Sequence, residues 1–137
     1  MNNEIFTILF VDDEPWLSQP LLLSLEAKGF LCVSKSNMTD GLDYMARNSV
    51  DLLVTDVMMP AGDSFPNIDS STTGFHFMRK VRQQSPRMPI ICLSVIGDVE
   101  KIEELKRQNI LYLRKGETPL ETAVRLIESK VTGKISY

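Results

Sequence analysis

Residues 52–60 read LLVTDVMMP: a short apolar run, an aspartate at its end, then Met-Met-Pro, which stops regular structure. Three apolar residues and Thr55 suffice for a short buried strand. A carboxylate at the mouth of such a strand is costly to bury unless a cation or hydrogen-bond donors meet it. Residues 5–14, IFTILFVDDE, repeat the pattern and end on Asp12 and Asp13. If the two runs are parallel neighbours in one sheet, Asp12, Asp13 and Asp56 gather at one edge. Carboxylates held that close need a cation, and ligands that are all oxygen suit Mg2+. The plainer alternative, acids that only cap the following helices, leaves a hydroxyl at Ser94 and a lysine at Lys115 unexplained.

The rest of the chain supports such a sheet. Residues 5–11 are apolar nearly throughout, as in a strand covered on both faces. Leu17, Leu21 and Leu25 mark a helix face, with Gly29 as its end. Pro20 falls in the second turn of a helix begun at Pro15, so either the first turn is separate or Ser18 caps a fresh start. A second strand is expected at 30–34. Thr39 is the expected cap of a helix to about 48, with Leu42, Met45 and Ala46 inward. A third strand covers 50–55. Residues 61–73, AGDSFPNIDSSTT, are small, polar and turn-forming, and predict a long loop. A helix at 74–84 follows, then a strand at 88–93 leading to Ser94. Asp98 is a good cap for a helix to about 108, whose apolar stripe of Val99, Ile102 and Leu105 is narrow. A short strand at 110–113 precedes Lys115. Thr118-Pro119-Leu120-Glu121 reads as a capping box for a last helix facing the sheet through Ala123, Val124 and Ile127. The tail from about 132 is expected to fray.

Five strands alternating with five helices predict an α/β doubly wound parallel sheet with helices on both faces. The functional crevice of such a sheet lies at the strand carboxyl ends, where Asp12, Asp13, Asp56, Ser94 and Lys115 all fall. The 137 residues suit a single domain, 1–137. The net charge of −3 argues against direct nucleic-acid binding. No apolar run approaches the ~20 residues that span a bilayer, so no membrane association is expected. The N-terminus, with Glu4 and no basic cluster, is not a secretory signal. A cytoplasmic protein with Cys32 and Cys92 reduced and buried is expected.

The stretches ILFVDDEP, LLVTDVMMP, IICLSV and LYLRKG together resemble the receiver domain of two-component response regulators. The resemblance covers essentially the whole chain and implies the flavodoxin-like strand order 2-1-3-4-5. It implies Asp56 as acceptor of a phosphoryl group from a histidine kinase or phosphotransfer protein. Mg2+ is implied on Asp13, Asp56 and the Met58 main-chain carbonyl, with Asp12 acting through water. Lys115 and Ser94 are implied to contact phosphoryl oxygens, and Tyr112 to be the switch aromatic coupled to Ser94. The protein would then be no enzyme beyond self-phosphorylation and slow autodephosphorylation. Output would run through an unknown downstream protein, on a face of the fourth helix, fifth strand and fifth helix that also suits a dimer.

Two departures from the family stand out. Gly116 follows Lys115 where receivers usually carry proline after a cis bond, which leaves the Lys115–Gly116 bond open between cis and trans. The 61–73 loop is longer than usual and reads as a surface insertion, a lid or docking loop, or a source of a further ligand at Asp63 or Asp69. Two other function classes compete. A phosphorylation-independent interaction module would keep the fold but not the chemistry, and the intact acidic set speaks against it. An aspartate phosphatase would carry a second aspartate where Met58 stands.

Overall fold

The computed structural model describes residues 5–57, 73–96 and 98–133, with the main chain alone for 15–17 and 73. Strands β1 (Thr7–Val11), β2 (Leu31–Lys35), β3 (Leu52–Thr55), β4 (Ile90–Ser94) and β5 (Leu111–Arg114) alternate with helices α1 (Pro15–Ala27), α2 (Met38–Arg47), α3 (Thr73–Gln84), α4 (Val99–Arg107) and α5 (Leu120–Thr132). The strands form one sheet in the order β2-β1-β3-β4-β5, every neighbouring pair parallel. The doubly wound sheet and its expected order are both present.

Alternation along the strands sorts the core onto two faces. Leu9, Val11, Leu53 and Cys92 pack with Met38, Phe77, Met78, Val81 and Leu105, which come from α2, α3 and α4. Ile8, Phe10, Leu52, Val54 and Leu113 pack with Leu21, Leu25, Ala123, Val124 and Ile127 of α1 and α5. Each central strand is thus buried on both sides, which is why β1, β3 and β4 read as nearly unbroken apolar runs. The edge strand β2 is half exposed and correspondingly mixed in sequence.

Several local expectations are corrected. α1 is one continuous helix through Pro20, with no fresh start at Ser18. Proline has no N–H, so α1 forgoes one rung of its ladder there. Asn37, not Thr39, caps α2: its side chain accepts the Asp40 N–H at 2.8 Å. The Asn37 backbone is extended, as a cap requires, whereas Thr39 already lies inside the helix. Of the α2 residues expected inward, Leu42 and Met45 pack against the core only partly, and the deepest positions are Met38 and Gly41. Asp98 caps α4 as expected, accepting the Glu100 N–H at 2.9 Å. The narrow α4 stripe holds only through Leu105 and half-buried Ile102, since Val99 is 69% exposed. The α5 capping box does not form. Pro119 is the cap residue, and the Thr118 hydroxyl donates backwards to the Arg114 carbonyl at 3.0 Å. The expected loop at 61–73 and the tail beyond 133 lie outside the described residues, apart from Thr73, which opens α3.

Candidate functional site

β1 and β3 are hydrogen-bonded neighbours, with Val11 opposite Thr55, so the residues after them emerge side by side. Asp56 N–H donates to the Val11 carbonyl at 3.1 Å, and Asp12 N–H to the Lys35 carbonyl of β2 at 3.0 Å. These bonds fix the backbones that carry both acids. Carboxylate oxygens of Asp12, Asp13 and Asp56 lie within 4.8 Å of one another. Asp12 and Asp56 are buried, at 5% and 8% exposure, and Asp13 is half-buried. Among the described residues, three carboxylates on two adjacent strand ends form a hard, all-oxygen donor set, which fits Mg2+.

Two groups from the other strands close on the same acids. Lys115, just past β5, places Nζ 2.6 Å from Asp12 Oδ2 and 3.0 Å from Asp56 Oδ2. Ser94, the last residue of β4 and 1% exposed, donates its hydroxyl to Asp56 Oδ1. Both oxygens of Asp56 therefore have donors. Burial pushes the Asp12 carboxyl above its usual range, against the pull of its Lys115 hydrogen bond. Burial first and the Glu14 charge second raise Asp13 as well. For Lys115, burial acts downward, but the hydrogen bonds and charges of Asp12 and Asp56 together outweigh it and hold the ammonium above the usual lysine range. The site has an excess of negative charge that one lysine only partly offsets.

The residues expected from sequence are thus brought together, Met58 excepted, which lies outside the described residues. Tyr112 reaches the same region. Its ring packs on the α2–α3–α4 side of the core. Its hydroxyl donates to the Ser94 carbonyl at 3.1 Å and accepts the Ile96 N–H at 3.0 Å. The described peptide bonds are all trans, and Gly116 turns the chain with φ of +81° instead.

Sequence reasoning missed Gly74 and Arg114. A Cβ on Gly74 would stand 2.3 Å from Val57 Cα and 2.6 Å from the Asp56 carbonyl oxygen, so α3 approaches the acceptor strand only because the residue is glycine. The Gly74 N–H donates to the Val57 carbonyl at 2.7 Å. Arg114 Nη1 donates to the Ile96 carbonyl at 3.0 Å, beside the Tyr112 contacts. A glycine in the first turn of a helix straight after a polar loop was the available signal for the first. Nothing local marks the second.

Residues 8–123 match the model of the response regulator receiver domain, and the chain belongs to that family. Response regulator GtcR of Aneurinibacillus migulanus is 31% identical over 121 residues, covering 88% of this chain and 46% of that protein. Transcriptional regulatory protein GlrR of Escherichia coli is 26% identical, over 80% of this chain and 22% of its own length. The chain therefore spans less than half the length of these relatives. A receiver domain protein from Clostridium thermocellum of known structure is 26% identical with a TM-score of 0.73, covering 94% of this chain and 96% of that one. No described helix is long and apolar enough to cross a membrane.

Proposed function

We propose that this receiver domain accepts a phosphoryl group on Asp56 from the phosphohistidine of a histidine kinase or phosphotransfer protein. An Asp56 oxygen attacks phosphorus, the P–N bond breaks as the O–P bond forms, and the departing imidazole takes up a proton. The observation that carries this reading is the pair of donors on one carboxylate. Lys115 Nζ and Ser94 Oγ sit on opposite oxygens of Asp56, where either can pass to oxygens of an arriving phosphoryl group. Asp12, Asp13 and Asp56 would hold Mg2+, and the metal when bound would offset the negative charge shared by the carboxylate and the phosphoryl group.

The phosphorylated state would be read by a downstream protein in the cytoplasm, through the face built by α4, β5 and α5, which also suits a dimer. Tyr112 would link the site to that face, because it belongs to β5 and bonds the main chain of Ser94 and Ile96. In this reading the domain catalyses nothing beyond its own phosphorylation and slow loss of the phosphoryl group.

Incubation with a small acyl phosphate and Mg2+ tests it. The expected result is a mass gain of one phosphoryl group, lost in Asp56→Asn. A protein that gains no mass would be an interaction module that keeps only the fold, and an equal gain in Asp56→Asn would place the acceptor on another residue.

A further inference from the structure

We infer that the turn 114–118 is a dedicated mount for Lys115, with Gly116 and Thr118 as its positioning residues; the role given to Lys115 rests on the acceptor reading above. A lysine head on a flexible four-carbon stem meets two buried carboxylates reproducibly only if its Cα is held firmly. Three features hold it. The Lys115 N–H donates to the Ser94 carbonyl at 3.0 Å, carrying the β4–β5 ladder one residue past the strand. Gly116 then turns the chain away at φ +81° through trans peptides. Finally the Arg114 carbonyl accepts three hydrogen bonds: Glu117 N–H at 3.2 Å, Thr118 N–H at 3.0 Å and the Thr118 hydroxyl at 3.0 Å.

Space does not explain the glycine, since a Cβ there would meet nothing within 4 Å. Conformation does: the left-handed region disfavours other residues, and asparagine tolerates it best among them. Thr118 makes the second argument. Its sequence suits capping α5, yet α5 starts with no side-chain cap and the hydroxyl is spent on the turn. A local rule broken next to a functional group is where a positioning role is expected. Arg114 completes the mount, pairing with Glu117 at 2.9 Å and donating to the Ile96 carbonyl. The Lys115 turn and the Ser94–Ile96 segment are thereby held to each other.

The test uses opposite signs. The Lys115 ammonium and Mg2+ compete for the carboxylates of Asp12 and Asp56, so a loosened lysine should tighten Mg2+ binding while slowing phosphorylation. Damage to the fold would weaken both. Calorimetric titration with Mg2+ alone and the phosphorylation rate with a small acyl phosphate are measured for the parent, Lys115→Ala, Gly116→Ala, Gly116→Asn, Thr118→Val and Thr118→Ser.

Gly116→Ala and Thr118→Val should bind Mg2+ more tightly and phosphorylate more slowly, each by about two- to tenfold, the scale of left-handed backbone strain for the first and of one lost hydrogen bond for the second. Both should move toward Lys115→Ala, and Gly116→Asn and Thr118→Ser should return toward the parent. If Gly116→Ala gives no cooperative melt, the Thr118 pair decides alone. Unchanged Mg2+ affinity in variants that fold, or loss of affinity and rate together, overturns the mount. A parent that takes no phosphoryl group while the Mg2+ affinities shift as expected overturns the acceptor reading and leaves the mount standing.

Discussion

The hydroxyl of Tyr112 bridges the Ser94 carbonyl and the Ile96 N–H, so the aromatic of β5 grips the main chain beside a hydroxyl that donates to Asp56. Ser94 keeps a second main-chain bond, from Lys115 N–H. Ile96 N–H has no such substitute among the hydrogen bonds described. Tyr112→Phe should therefore keep the ring packing, cost about 1 kcal/mol, and loosen Ile96. Denaturant unfolding and amide exchange check this; exchange at Ile96 as slow as in the parent would refute it.

Asp13 belongs to an acidic set that could hold a metal ion, and in the absence of one its charge costs the fold stability. Its carboxyl and that of Asp12 are raised above the ordinary aspartate value of 3.8, chiefly by burial. Raised acids favour the protonated fold: the stability they contribute is full below 3.8 and is lost as pH rises through the folded pKa. At neutral pH without metal, Asp13→Asn should thus be more stable than the parent, and the gain should fade as pH falls toward 3.8. Added Mg2+ should reverse the order, since only the parent has the full carboxylate set. Melts at pH 7 and pH 4, with and without Mg2+, measure it.

Trp16, the only tryptophan, follows Asp13 by three residues, so its fluorescence should report Mg2+ binding without phosphate. Asp13→Ala should shift that titration to much higher Mg2+. A titration matching the parent's removes Asp13 from the metal site.

The phosphoryl group should be long-lived on Asp56. Hydrolysis needs a water in line behind phosphorus; in receivers the positions two past the acceptor and two past the hydroxyl residue usually surround it, and in this sequence those are Met58 and Ile96. Neither side chain can orient water by a good hydrogen bond. Positioned proton handling contributes about 10²–10⁴-fold where present. Decay of the purified phosphoprotein in Mg2+ should be slow, and should quicken in the double variant Met58→Asn with Ile96→Glu.

Gly74→Ala should be severe. The added carbon would fall 2.3 Å from Val57 Cα, backbone that cannot move aside without shifting Asp56. A loss of about 1–3 kcal/mol is expected, the scale of overpacking, with phosphorylation falling more than stability predicts. Chemical denaturation beside the phosphorylation rate separates the two.

The strands were legible because burial on both faces leaves an unbroken apolar run, as at Thr7–Val11 and Ile90–Ser94. The acids, Ser94 and Lys115 were legible because polar groups ending such runs have few reasons to be there. The capping details were less so. Thr39 and Thr118 both satisfy a cap pattern, yet a pattern cannot say that Asn37 lies better placed, or that the Arg114 carbonyl competes for the Thr118 hydroxyl. Arg114 was invisible, and the contact that makes Gly74 necessary was hidden, for a related reason. Their partners, Ile96 and Val57, lie 18 and 17 positions away in sequence, and only the folded chain pairs them.

Val57 and Gly74 stand one hydrogen bond apart, so the two ends of the segment between them are pinned at almost a single point. Closing such an excursion costs free energy that grows only slowly with its length. Changing the number of residues between Val57 and Gly74 should therefore cost the sheet little, provided the glycine stays. The length of the segment that follows Asp56 is thus set by something other than the stability of the sheet.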